Sequence, residues 1–131
     1  MKFSFEKAVW KNAFGIDVAE HCGADNPFPI DCAVAKFRRG KYPRKINHGF
    51  NEMFYVLDGE CFIEFDGEAV RLKKQDVHII EPGRPHATSA EYADILIVCT
   101  PSFDIKNVEF LDENTTKILN RISGILLETS L

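Results

Sequence analysis

A chain of 131 residues, 45% hydrophobic and 27% charged, is long enough for one domain with a single core and too apolar for disorder. Its net charge of -4 gives no general attraction for nucleic acid, and no apolar run approaches the roughly 18 residues that cross a bilayer. The eleven Phe point instead to an interior filled with large flat side chains.

The opening MKFSFEKAVW carries Glu6 early and has no sustained apolar core, so no secretory leader is expected and the expected location is cytoplasmic. Cys22, Cys32, Cys61 and Cys99 form no CxxC pair, which leaves a structural zinc site unsupported and makes reduced, buried thiols the expectation.

In chain order, FEKAVWKNAFGIDVAEH has apolar residues too irregular to separate strand from helix, and CGADNPFP (22–29) is a loop on its Gly, Asn and two Pro. IDCAVAKF reads as a strand stopped by charges and Gly40. FNEMFYVL reads as a strand, Asp58-Gly59 as a tight hairpin-type turn and CFIEF as the returning strand, turned again at Asp66-Gly67. AVRLK, DVHII and HATSA follow, with PGRP as a turn before the last, and ADILIVC is the most apolar strand, ended by Pro101. Short strands punctuated by Gly, Pro and Asp predict an all-β antiparallel sandwich or barrel. From Asp112 as N-cap, Ile118, Leu119, Ile122, Ile125 and Leu126 follow helical spacing, which predicts a C-terminal amphipathic α-helix over about 112–128. No repeat, linker or low-complexity segment divides the chain, so residues 1–131 are read as a single domain.

Chemistry concentrates in GKYPRKINHGFNEMFYVLDGE, residues 40–60, where His48 and Glu52 stand four apart beside a short apolar strand. On an extended segment their shared parity turns both to one side, and EPGRPH adds His86. Two imidazoles and a carboxylate suit a divalent metal, Fe, Mn, Ni or Zn, with positions open for water or substrate. The other reading is a metal-free pocket in which the three bond to one another or to water. Phe50 and Phe54 share that parity and either wall the pocket or fill the core. His78 sits on an apolar strand and can face either way, and nothing near Cys61 or Cys99 would activate a thiol. Arg38, Arg39, Lys41, Arg44 and Lys45 carry their positive charges with no acid between them. They form either a solvated strand end or a rim that steers an anionic ligand such as a sugar phosphate, nucleotide sugar or carboxylate.

These residues resemble the small bacterial cupins. The first motif of that superfamily is a glycine, five residues, His-x-His, three or four residues, Glu, six residues and a glycine. Here Gly40, KYPRK, Ile46-Asn47-His48, GFN, Glu52, MFYVLD and Gly59 match it at every fixed position except the first histidine, which is Ile46. QDVHIIEPGRPH resembles the second motif, with Gln75 at its opening glycine, Glu81 at its first proline, and Gly83 and His86 retained. The resemblance covers about Ile30 to Pro101 and implies a cupin jelly-roll β-barrel with both motifs at its mouth. It implies a divalent metal held by His48, Glu52 and His86, with a fourth ligand lost at Ile46, and a homodimer. The function implied is a divalent-metal-dependent enzyme, isomerase- or oxygenase-like, acting on a small anionic or sugar-derived molecule. The alternative is a metal-free small-ligand binding or sensor protein with a degenerate metal site. Ile46 favours this alternative, whereas Glu52, costly to bury without a cation or donor nearby, favours the metal.

Overall fold

The computed structural model describes residues 1–22 and 26–112. Alternating segments that cannot satisfy their own backbone groups must pair, and here they do so in eight antiparallel strands. These are β1 (Val9–Ala13), β2 (Ile16–Glu20), β3 (Asp31–Asn47), β4 (Asn51–Phe65), β5 (Glu68–Lys73), β6 (Val77–Ile80), β7 (His86–Thr100) and β8 (Val108–Phe110). The segment too irregular to assign from sequence is the β1–β2 hairpin. Its two loop residues, Phe14 and Gly15, both take positive φ (55° and 78°), the backbone that a two-residue loop needs to match strand twist.

The sheet order is β1-β2-β3-β7-β4-β5, with β6 added to β4 and β8 to β3. The expected closed jelly-roll barrel is therefore corrected to an open sheet folded over on itself. Its edges β1 and β5 do not pair, and closure comes from three long strands that bend. On the side away from β7, β4 pairs with β6 through residues 52–55 and with β5 through residues 60–65. β3 likewise pairs with β2 through 33–36 and with β8 through 45–47. Each long strand so contributes one end to each half of the folded sheet. The inward side chains of both halves, among them Phe37, Phe54, Val56, Ile63, Leu72 and Ile95, form one buried cluster. At roughly 1.5–3 kcal/mol for each such side chain fully buried, this cluster is the main force that folds the sheet over.

Asp58-Gly59 is the clearest departure from the local reading. It does not reverse the chain; FYVL and CFIEF are the two ends of one strand, and Asp58-Gly59 is the bend between them. The ladder with β7 slips between Val56 and Asp58, and Gly59 takes φ 75°. A Cβ at Gly59 would lie 2.2 Å from the Tyr92 carbonyl oxygen, so only glycine lets β7 approach this closely. The Tyr92 hydroxyl donates to Asp58 at 3.2 Å while the Arg38 guanidinium lies 4.1 Å over the Tyr92 ring, which pins the bend from both sides. Gly40 likewise does not stop β3, and HATSA and ADILIVC are one strand, β7.

Beyond the strands, the described residues hold only two short 3-10 turns, Phe5–Lys7 and Ile105–Asn107. The C-terminal helix expected over about 112–128 falls, from residue 113 onward, outside the described residues.

Candidate functional site

The polar residues buried inside the fold are few, and they gather in one place. Lys45 and Asn47 from β3, Glu52 from β4 and His86 and Thr88 from β7 are all nine-tenths or more buried. Strand pairing explains the meeting, since Lys45 lies directly opposite His86 and Glu52 lies between Ile80 and Cys99. A register slip between Tyr42 and Lys45 sets which side chains of β3 turn inward. With it, Tyr42, Lys45 and Asn47 face the interior, and Ile46 and His48 are left on the other side.

Lys45 Nζ is 3.4 Å from each oxygen of the Glu52 carboxylate. Asn47 Nδ2 donates to Glu52 Oε1 at 3.3 Å, and His86 Nε2 stands 3.7 Å from the same oxygen, beyond direct hydrogen-bond reach. The opposite ring nitrogen of His86 donates to the Arg84 carbonyl at 2.8 Å, which fixes the ring and leaves Nε2 aimed at Glu52. Phe65 backs the cluster, with its ring 6.4 Å from His86, 5.5 Å from His78 and 3.7 Å beneath the Arg84 guanidinium. On the other side Tyr42 stacks edge-on with Phe14 and lies under the Lys45 ammonium at 5.0 Å.

Burial by itself would raise the Glu52 pKa, but Lys45, His86 and Asn47 outweigh it and hold the carboxyl down at about 2. Burial, then the Glu52 charge, pushes the Tyr42 phenol up to about 12, so it remains a neutral donor. The Cys99 thiol is pushed up by burial and by Glu52 and Asp31, and Cys61 is raised to about 11 by burial and Glu60, so neither supplies a thiolate. Burial and then Arg84 lower the His78 pKa against the weaker pull of Glu81 and Glu68, which keeps it an uncharged imidazole.

The depressed Glu52 pKa has a direct consequence for stability. A carboxyl whose folded pKa lies below its unfolded value stabilises the fold above the unfolded pKa and loses that contribution as pH falls through the folded one. The window here runs from about pH 4.5 down to about 2, and the contribution is on the order of 3 kcal/mol. Urea unfolding across that range should show the gap between wild type and Glu52→Gln narrowing as pH falls; a gap independent of pH would contradict the assignment.

The metal triad expected from sequence, His48, Glu52 and His86, is only partly brought together. Glu52 and His86 meet; His48 is more than half exposed, on the outer side, with Nε2 2.8 Å from Glu109. His48 and Glu52 do not share a strand, so their common parity does not place them on one face. β3 ends at Asn47, β4 begins at Asn51, and Gly49 between them takes φ 80°. Among the described residues no group of three or more His, Cys, Asp or Glu side chains is placed to hold a metal. The family spacing allows three or four residues before the Glu. Counted with four, it puts Lys45 and Asn47 at the two histidine positions, and these are the residues that face Glu52. A cation is thus present as a lysine side chain, and a divalent metal does not fit beside it.

The basic run is likewise resolved. Arg38 pairs with Asp94 at 3.0 Å, Arg39 with Glu91 at 3.4 Å, Lys41 with Glu64 at 3.7 Å, Arg44 with Asp66 and Lys45 with Glu52. Every charge of the expected rim has an acid of its own, which removes the reason to expect an anionic ligand there. Phe50 and Phe54 are both buried, Phe50 edge-on to Phe103 and Phe54 within the main core, so they serve packing.

The Cupin domain family matches residues 35–99 of this chain. No curated protein matches it. Among solved structures, Streptomyces PAC13 in a structure with uridine is 18% identical with a TM-score of 0.76, over 85% of this chain and 89% of that one. The same protein is described as a nucleoside dehydratase. KdgF from Halomonas sp. is 19% identical with a TM-score of 0.67, over 79% of this chain and 97% of that one. Ectoine synthase from P. lautus is 14% identical with a TM-score of 0.69, over 86% and 90%. At these identities the likeness is one of fold. With both motifs in order on a folded all-β sheet and the family match across its centre, the chain belongs to the cupin superfamily.

Proposed function

We propose that this cupin binds a small hydroxylated molecule and works on it without a divalent metal, Lys45 supplying the positive charge and His86 and Glu52 the proton chemistry. The observation that carries the reading is the Lys45 ammonium held 3.4 Å from both Glu52 oxygens at the position where the family motif calls for a metal-binding histidine. The Lys45 N–H groups donate to a substrate oxygen and stabilise negative charge that develops on it. His86 Nε2, with the other ring nitrogen committed to the Arg84 carbonyl, accepts a proton from the substrate. Glu52 holds the Lys45 ammonium in place and stabilises the imidazolium that forms. Proton removal beside a polarised oxygen leads to isomerisation or to loss of water. That two structural neighbours are enzymes, one described as a nucleoside dehydratase and one as ectoine synthase, supports a reaction of this kind by analogy of fold.

The ligand class follows from which groups lack partners. Asn47 Oδ1, His86 Nε2 and His78 Nε2 are buried atoms with no hydrogen-bond partner. An amide oxygen and an imidazole nitrogen that carries no proton accept hydrogen bonds, so the complementary ligand offers hydroxyl or N–H donors, as a sugar-derived molecule does. A second reading, ligand binding or sensing without turnover, is favoured by how fully Lys45, Glu52 and His86 are enclosed.

Protein purified without chelator is expected to carry well under one equivalent of Fe, Mn, Ni or Zn per chain, and EDTA should leave its thermal midpoint in place. Stoichiometric metal that leaves with EDTA and takes stability with it overturns the proposal.

A further inference from the structure

The cysteines of this chain fall into two kinds. Cys61 and Cys99 are buried, as expected from the sequence, and Cys22 and Cys32 are only half-buried. Strand pairing brings the half-buried two together. β2 and β3 pair from Asp17–Lys36 to Glu20–Ala33, and the His21 N–H still donates to the Cys32 carbonyl at 3.3 Å. Cys22 therefore stands one step from Cys32 across the pair of strands.

On a regular ladder that step would turn the two side chains to opposite faces. Cys22 lies beyond the end of β2, where alternation no longer holds it, and its side chain hydrogen-bonds with that of Cys32. One step along an antiparallel pair sets two Cα atoms roughly 6 Å apart, inside the roughly 4.4–6.8 Å that a disulfide spans. A metal is the other ligand for paired thiols, but among the described residues no third His, Cys, Asp or Glu is placed to join them.

We propose that Cys22 and Cys32 are a reversible disulfide site, oxidised by exchange with a low-molecular-weight disulfide. The Cys22 thiol gives its proton to water and the thiolate attacks one sulfur of the small disulfide. A mixed disulfide forms and one small thiolate leaves. Cys32 then loses its proton and attacks the Cys22 sulfur, which closes the bond and expels the second small thiolate. The chain gives up two electrons, the small disulfide becomes two thiols, and the two protons released by the cysteines return to them. Burial, then Cys22 and Asp31, raise the Cys32 pKa, so the thiol outside the ladder attacks first.

The bond would close the loop between β2 and β3, and that loop is fastened to the segment after β7. Ser102 Oγ donates to the Phe28 carbonyl at 3.1 Å, and the Asp31 carboxylate accepts the Phe103 N–H at 3.0 Å. Closing so short a ring takes entropy from the unfolded chain and leaves the sheet as it is. Oxidation should therefore raise the thermal midpoint by roughly 5–10 °C.

The full chain, incubated folded with oxidised glutathione and then alkylated in denaturant, tests this by intact mass and peptide mapping. Alkylation at Cys61 and Cys99 only, with one Cys22–Cys32 bond, is expected, and dithiothreitol should reverse the rise in midpoint. Cys32→Ser should stop at the mixed disulfide, with one glutathione kept on Cys22 and no rise on oxidation. Wild type that keeps all four thiols free, holds glutathione without closing the bond, or crosslinks two chains instead overturns the proposal.

Discussion

Lys45→Met is expected to lower the unfolding free energy at neutral pH by about 3–5 kcal/mol, the usual cost of removing one partner from a buried ion pair. The loss comes from Glu52, which would be left as a carboxylate fully inside the fold with only Asn47 and His86 near it. In that variant burial dominates, so the folded pKa of Glu52 rises above its unfolded value, and the penalty is present above that pKa and relieved as pH falls through it. Acidification should therefore narrow the gap between variant and wild type. Replacing both partners, Lys45→Met with Glu52→Leu, should restore most of the loss, because two buried charges exchanged for apolar groups of similar volume are often neutral or stabilising. Urea titration of the three proteins decides it. A single-variant loss below about 1 kcal/mol would mean the pair is solvated and not the buried contact described. A double variant as stable as wild type would also show that the fold does not need the pair, and a costly charge retained without a structural need is what a functional residue looks like.

Lys45→His with Asn47→His should create a metal site where wild type has none. Both positions face Glu52 and His86, so the double variant would present three imidazoles and one carboxylate to a common point. About one equivalent of divalent metal per chain is expected by elemental analysis. Added metal at a hundredfold over its dissociation constant should raise stability by about 2.7 kcal/mol. Ile46→His, the change that the sequence alignment alone would suggest, should acquire no metal, because residue 46 lies opposite Glu109 on the side away from the cluster. Metal on the Ile46 variant, or none on the double variant, would mean that the opposite set of β3 side chains faces the cluster.

Much of the fold was legible in the sequence because turns advertise themselves. Asp66-Gly67 and the PGRP stretch both lie between strands, as read. Asp58-Gly59 misled, since the same dipeptide serves a hairpin and a bend, and what decides between them is the Tyr92 carbonyl against Gly59, a neighbour distant in sequence. At the site, Glu52 and His86 were legible from spacing. Lys45 and Asn47 were not, because a one-residue slip near Tyr42 exchanges which side chains of β3 face inward and local periodicity does not reveal where such a slip occurs. One sign was available: the family spacing admits four residues before the Glu as well as three, and the four-residue count lands on a lysine, a residue rarely buried without an acid to meet it. The C-terminal helix expected over about 112–128 lies, from residue 113 onward, outside the described residues.

Because β3, β4 and β7 each thread through both halves of the folded sheet, neither half holds a complete set of strands that could survive the other's loss. Partial melting has no natural stopping point in such a chain, so unfolding is expected as a single cooperative transition. The same threading means that residues far apart in sequence must find one another before any strand is paired along its full length. That places folding among the slow, non-local class, in milliseconds to seconds rather than microseconds.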